Sequence, residues 1–335
     1  MRRRSFKRKI GLLLFILVFA AFYYFYDREF FDDVKTTIIE QIEKIPEEIE
    51  KQIKKFEKKE IVESDKIELS SDLMVFFFDV GQADSILIKS QDEYMLIDAG
   101  NNSDGPKLVN YIKSLGINSF KYVVGTHAHE DHIGGMDDII NNFNIGTFYM
   151  PDVTTTTKTF EDVLDSLKSK NLKFSTPKMG STIKLGLSDI EVLYVGTSKE
   201  DLNDTSIVLK LTYNNVSFLF MADATNTVER TILYDNLESD VLKVGHHGSK
   251  YSSSAIFLSR VKPTYSIISC EKNNDYGHPD DVTVSKLQRI NSTIYRTDQL
   301  GTIVATSNGD NIEFQYIRTN TNGDSYEKAW KICSW

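Results

Sequence analysis

Cysteine is nearly missing from this chain: 335 residues hold two, Cys270 and Cys333, too few for a disulfide scaffold and not assignable as a pair from sequence. Positive charge is scarce as well. Lys and Arg number 39 against 48 Asp and Glu, a formal charge of −9. Six of the cations (Arg2, Arg3, Arg4, Lys7, Arg8 and Lys9) fall in the first nine residues, and setting them aside leaves −15 for residues 10–335. That acidity argues against a general nucleic-acid coat, which binds by neutralising phosphates. A multi-span membrane protein is excluded, as are a disordered chain and a collagen-like repeat, because 41% hydrophobic residues including 20 Phe supply a large core.

The one long apolar run, residues 10–26, reads IGLLLFILVFAAFYYFY without a charge. As a helix it is about 25 Å long, enough to cross a bilayer once. The basic flank at residues 1–9 places its N-terminal side in the cytoplasm, and Tyr23, Tyr24 and Tyr26 suit the opposite interface, so the rest of the chain is expected outside the cell. The competing reading is a cleaved signal peptide with Val18-Phe19-Ala20 at the cleavage site, which also exports the remainder. Residues 27–66 alternate Glu and Lys around Ile38, Ile42, Ile45, Ile49, Ile53 and Phe56, an amphipathic helical stalk interrupted at Pro46. It fits a spacer, with an oligomerising coiled coil as the alternative. A domain at 67–318 and a short tail at 319–335 complete the expected organisation.

Within that domain, short β-like runs at 74–78, 85–88 and 94–97 precede a helical stretch near 107–115 and a further strand at 122–125. That strand runs into Thr126-His127-Ala128-His129-Glu130-Asp131-His132-Ile133-Gly134-Gly135. Four candidate ligands fall within six positions. Alternate side chains of a loop project to one side, so His127 and His129 can grip one metal while Asp131 and His132 address a second. Imidazole and carboxylate donors suit zinc, and manganese accepts the same set. Asp223 follows an apolar run at 216–221, where a carboxylate needs a positive partner; a bridge between two metals supplies one, and a helix N-cap is the bland alternative. His246 and His247 follow a strand at 241–244 and precede a Gly-Ser turn.

The histidine loop resembles the signature of the metallo-β-lactamase fold, and residues 73–309 resemble more narrowly the extracytoplasmic hydrolase-like domain of ComEC-type DNA-uptake proteins. The motifs that carry this are Phe78-Asp79-Val80-Gly81-Gln82, Leu96-Ile97-Asp98-Ala99-Gly100, Phe220-Met221-Ala222-Asp223, Leu242-Lys243-Val244-Gly245-His246-His247-Gly248-Ser249, Tyr276-Gly277-His278-Pro279 and Tyr295 to Thr302. The resemblance implies an α/β fold, a four-layer αββα sandwich with the site on loops at the sheet edges. It implies that one of His246 and His247 completes the second metal site while the other meets the transition state; the assignment taken is His247 to metal and His246 to substrate. Asp98 matches the supporting aspartate that orients the histidine loop. His278 belongs to the pocket rim, as proton donor or phosphate contact, unless it is a turn residue fixed by Pro279. Asn203 and Ser206 match a bracing feature, and Lys243 faces either the site or solvent.

Two departures stand out. No histidine lies between His132 and His246, so the first site has only His127, His129 and Asp223 from protein. Ala83 replaces a usual glycine, which calls for a local backbone adjustment. The resulting expectation is a membrane-anchored, extracytoplasmic hydrolase using two divalent ions, zinc or manganese, and a metal-activated water in which Asp131, His246 and His278 serve catalysis. Its substrate is a phosphodiester, either DNA or an envelope polymer such as phosphocholine-bearing teichoic acid. A non-catalytic module of an uptake or secretion apparatus is the alternative of a different class.

Overall fold

The computed structural model describes residues 62–63, 68–197 and 200–317. The expected membrane segment at 10–26, nearly all of the stalk, the tail at 319–335 and Cys333 lie outside the described residues. Among the described residues no helix is long and apolar enough to cross a membrane.

In chain order the first strands are β1 (Val62–Glu63), β2 (Leu73–Phe77), β3 (Ile86–Ser90), β4 (Glu93–Ile97), β5 (Ser119–Val124), β6 (Asn144–Tyr149) and β7 (Phe174–Ser175). Helices α1 (Gly105–Ser114), α2 (Glu130–Ile133), α3 (Met136–Asn142) and α4 (Lys158–Ser169) are interleaved with the later of these. A second series follows: β8 (Thr182–Leu185), β9 (Ser188–Val195), β10 (Ile207–Tyr213), β11 (Val216–Phe220), β12 (Val241–Lys243), β13 (Tyr265–Ile268) and β14 (Thr293–Arg296). With it come α5 (Asn226–Thr231), α6 (Ala255–Val261), α7 (Asp281–Arg289) and α8 (Thr297–Leu300). The chain then returns to the first sheet through β15 (Thr302–Ser307) and β16 (Ile312–Ile317), giving a nine-stranded sheet ordered β1-β16-β15-β2-β3-β4-β5-β6-β7. The other sheet has seven strands, β14-β13-β12-β11-β10-β9-β8.

Strand periodicity assigns the layers. Leu73, Val75 and Phe77 of β2 point into a core shared with Leu209, Leu211, Phe218 and Phe220 of the second sheet. The intervening Met74 and Phe76 face outward, against Leu108, Ile112, Ile139, Ile140 and Phe160 of the helices. Leu219 and Leu242 likewise meet Val228, Phe257, Leu258 and Leu287 on the far side. Both faces of both sheets are therefore apolar, which accounts for the unbroken hydrophobic runs and gives the expected helix–sheet–sheet–helix layering.

Most expected boundaries shift by a residue or two. Ser85, expected in a strand, belongs to the preceding loop, where its hydroxyl donates to the Asp98 carbonyl at 3.0 Å. Residues 62–63, expected at the end of the stalk, instead pair in parallel with β16, Val62 opposite Gln315 and Glu63 opposite Tyr316. Backbone pairing at an open sheet edge overrides a helical charge pattern there.

Candidate metal centre

Four strand ends build the site. β4 and β5 are parallel and finish level, Ile97 opposite Val124, and β11 and β12 do the same, Phe220 opposite Lys243. Beyond three of these ends the chain reverses through left-handed backbone at non-glycine residues: Asp98 (φ 59°), Ala222 (φ 46°), and His246 and His247 (both φ 51°). Such conformations cost roughly 1–3 kcal/mol each and persist where the surroundings over-determine them. They raise Asp98, Asp223 and the histidine pair over the sheet ends. Gly248 (φ 85°) closes the last reversal, and a Cβ on it would lie 2.6 Å from Pro279 Cβ.

Asp131, His132, Asp223 and His247 converge, one donor atom from each lying within 4.8 Å of all the others. His132 Nε2 is 3.2 Å from Asp223 Oδ1, and His247 Nε2 is 3.3 Å from Asp131 Oδ2 and 3.6 Å from Asp223 Oδ1. His132 Nε2, Asp223 Oδ1 and His247 Nε2 are buried without a hydrogen-bond partner. Buried polar atoms are normally satisfied, so two imidazole nitrogens and a carboxylate oxygen aimed at one point fit a divalent cation that takes N and O donors. The other ring nitrogens are anchored: His132 Nδ1 to Asp98 Oδ2 at 2.7 Å, His247 Nδ1 to the Ser269 carbonyl at 3.0 Å. Asp98 in turn accepts from Thr126 N at 2.8 Å and Thr126 Oγ1 at 2.7 Å, which pins the start of the histidine loop. The N-cap alternative for Asp223 fails, because α5 begins at Asn226 and is capped by Thr225.

Electrostatics point the same way. Burial pushes the Asp223 carboxyl up, but His132, His247 and His246 outweigh it and hold the group well below the usual carboxylate range. Burial also opposes ionisation of Asp131, and His132 and His247 lower it nonetheless. His132, pushed down by burial, is raised well above an ordinary imidazole by Asp223, Asp98 and Asp131. The pull of these carboxylates on His132 is the charge demand a metal would answer. His127 behaves oppositely: burial and the neighbouring His132 push it well below the ordinary value, keeping it neutral as a ligand must be.

His127 and His129 sit beside this group but outside it. Their Nε2 and Nδ1 atoms are 3.0 Å apart, and the His127 ring centroid is 4.1 Å from that of His132. His246 lies at the outer side of Asp223, Nε2 to Oδ2 3.7 Å, with its ring 5.6 Å from His278. His278 takes part in a short chain: Gln82 Oε1 accepts from Glu271 N at 3.1 Å, which turns Gln82 Nε2 toward His278 Nδ1 at 3.3 Å. The Ser206 hydroxyl accepts from Asp223 N at 3.3 Å, whereas Asn203 Oδ1 is buried without a hydrogen-bond partner. The Asn203 carbonyl accepts from Ser206 N at 3.1 Å, and the Asp204 carboxylate accepts from Thr225 Oγ1 at 2.5 Å.

Lys243 faces the interior, 2.7 Å from Asp84 Oδ2. Asp84 lies two residues before β3, and nothing local in the sequence signals its partner 159 positions on. Cys270 is a buried free thiol, pushed up to about 12 by burial and Asp298. A cavity of about 530 Å³ opens beside Asp131, lined by Phe78, Tyr111 and Tyr276, by the acidic residues Asp79, Asp104, Glu130 and Glu271, and by Lys107.

The family model described as the metallo-beta-lactamase superfamily matches residues 78–271. ComE operon protein 3 of Bacillus subtilis (strain 168) is 30% identical over 258 residues, 70% of this chain and 33% of that protein. Competence protein ComA of Neisseria gonorrhoeae is 25% identical over 234 residues, 68% of this chain and 31% of that protein. The chain thus spans about a third of the length of these relatives, and the ComEC-type resemblance of its motifs is shown by them. The solved metallo-beta-lactamase fold protein YhfI from Bacillus subtilis has 13% identity and a TM-score of 0.46, covering 67% of this chain and 96% of that one. The matched segment contains the histidine loop, Asp98, Asp223 and the His246–His247 pair, and with two sheets packed between helices the chain belongs to the metallo-β-lactamase superfamily.

Proposed function

We propose that the protein is a metal-dependent phosphodiesterase, anchored by residues 10–26 with its catalytic domain on the extracytoplasmic side. The observation that carries this is the convergence of Asp131, His132, Asp223 and His247 with buried donor atoms that nothing else satisfies. Divalent ions held there would supply Lewis acidity: charge for the oxyanions of an in-line displacement at phosphorus and a lowered pKa for the attacking water. The protein's own part is orientation. Asp98 and the Ser269 carbonyl each take the Nδ1 proton of a ligand histidine and so present Nε2 to the centre. The Gln82 amide donates to His278 Nδ1, leaving His278 with a proton on Nε2. Burial, with His246 and His247 nearby, lowers His278 to about 4, so near neutral pH it serves as a neutral hydrogen-bond donor to a phosphate oxygen. His246, at the outer side of Asp223, is the second such contact.

The test is metal analysis of the full chain together with hydrolysis of bis(p-nitrophenyl) phosphate. Bound metal near two equivalents, and turnover lost in His129→Ala, is the expected result. Absence of metal, or turnover indifferent to that change, overturns the reading.

One observation favours an envelope phosphodiester over DNA. A polynucleotide crossing the cavity beside Asp131 would bring its phosphates against Asp79, Asp104, Glu130 and Glu271, whereas an ester of a cationic alcohol such as phosphocholine meets carboxylates and aromatic faces that attract it. Turnover of a phosphocholine ester above that of single-stranded DNA, with the same metal, is the outcome expected on this reading. Bound metal without turnover of either substrate would make the chain a binding module of an uptake or secretion apparatus.

A further inference from the structure

We propose that Asp84 and Lys243 act as a positioning pair for the metal centre, placing a buried carboxylate behind His247 and holding the Asp131 loop. The inference rests on the metal-centre reading above and adds to it two residues that bind no substrate. Asp84 and Lys243 are each 1% exposed, and Lys243 Nζ donates to Asp84 Oδ2 at 2.7 Å and to its neighbour's carbonyl, Val244 O, at 3.2 Å. The pair joins the loop before β3 to the end of β12, one segment from each sheet.

Two ligand-bearing segments and the turn that carries Asp98 meet at Asp84. Its backbone N–H donates to the Asp131 carbonyl at 3.0 Å, and its own carbonyl accepts from Gly100 N at 2.9 Å, two residues past Asp98. Its second carboxylate oxygen, Oδ1, makes no hydrogen bond and lies 3.8 Å from His247 Nδ1, the ring nitrogen turned away from the metal centre. Asp84, Asp98 and His132 also form a compact group of their own, one donor atom from each lying within 4.8 Å of the others. A carboxylate behind the far nitrogen of a ligand histidine orients the ring and raises its basicity. Lys243 fixes that carboxylate at a set distance, so that the Nδ1 proton goes to Ser269 O instead of to Asp84.

A buried ion pair can also be a structural element only, and then replacing both partners by apolar groups of similar size is close to neutral. This separates the two roles. In the full chain, Asp84→Leu combined with Lys243→Met removes the pair without stranding a charge, and Asp84→Asn keeps the shape while removing the carboxylate. Zinc affinity is measured by competition with a chromophoric chelator, and thermal midpoints are measured without metal. The expected result is a metal-free midpoint within a few degrees of wild type for the double variant, a lower one for Asp84→Asn, which leaves Lys243 without its counter-charge, and zinc binding weakened roughly 10–100-fold in both. Unchanged zinc affinity in either folded variant overturns the proposal while the metal-centre reading stands. Failure of both variants to fold also overturns it, since the pair is then a core element. A wild-type chain that binds no zinc overturns both.

Discussion

Asp98 Oδ2 lies 2.7 Å from His132 Nδ1, and this contact decides which nitrogen of His132 is free to face Asp223. Asp98→Ala is expected to leave His132 and Thr126 without their acceptor, costing about 1–3 kcal/mol of stability for the stranded donors. Metal affinity should fall by roughly 10–100-fold. A thermal melt and a zinc competition titration on the same sample check both; loss of stability with unchanged affinity would assign Asp98 to folding alone.

The two expected metal positions are unequal in this structure, because Asp131, His132, Asp223 and His247 already form a convergent group while His127 and His129 contact each other beside it. Titration should therefore show one tight and one weaker equivalent. His247→Ala should remove the tight one and His129→Ala the weaker one. Isothermal calorimetry of the two variants distinguishes them, and identical losses would contradict the asymmetry.

Asp79 at the acidic cavity offers a pH test. Burial raises its carboxyl to about 6, with Asp298, Glu271 and Asp104 adding to the effect against a hydrogen bond from the Gly81 backbone. The unfolded chain loses this proton near 3.8, so between that pH and about 6 the folded state holds more protons and stability falls as pH rises. Asp79→Asn should thus stabilise the protein by about 1–3 kcal/mol at pH 7 and by little at pH 3.5. Chemical denaturation at the two pH values measures the difference, and a variant less stable at pH 7 would show that the ionised Asp79 is held by favourable contacts.

Gly248→Ala is expected to destabilise by about 1–3 kcal/mol, since the position needs a left-handed backbone and its new methyl would meet Pro279. The strain falls on the turn that carries His247, so zinc affinity should drop as well. Thermal melts with and without zinc check this: a smaller zinc-induced rise in midpoint than in wild type is the predicted signature.

Much of this was legible in the chain because the information was local. The histidine loop, Asp98 and Asp223 all follow apolar strands directly, so position and chemistry could be inferred together. His247 joins the ligand group and His246 the rim for a reason absent from the sequence: two successive left-handed residues turn the rings apart, to 6.3 Å between centroids at 72°. Lys243 was ambiguous because a charged residue in a strand of three apolar neighbours gives no direction; only the sheet-to-sheet approach of Asp84 settles it. The turn at Asn203–Thr205 adds Asp204, which the sequence does not single out, to Ser206 at the Asp223 side of the site. The Gln82–His278 contact joins residues 196 positions apart and has no local signature at all.

The parallel pairing of Val62 with Gln315 sets β1 beside β16 with both strands running the same way, so the chain enters this sheet edge at one end of the strands and leaves it at the other. β1 covers backbone groups of β16 that an open sheet edge would otherwise offer to another chain. The metal-binding face is built from the ends of β4, β5, β11 and β12, so pairing at this edge leaves it undisturbed.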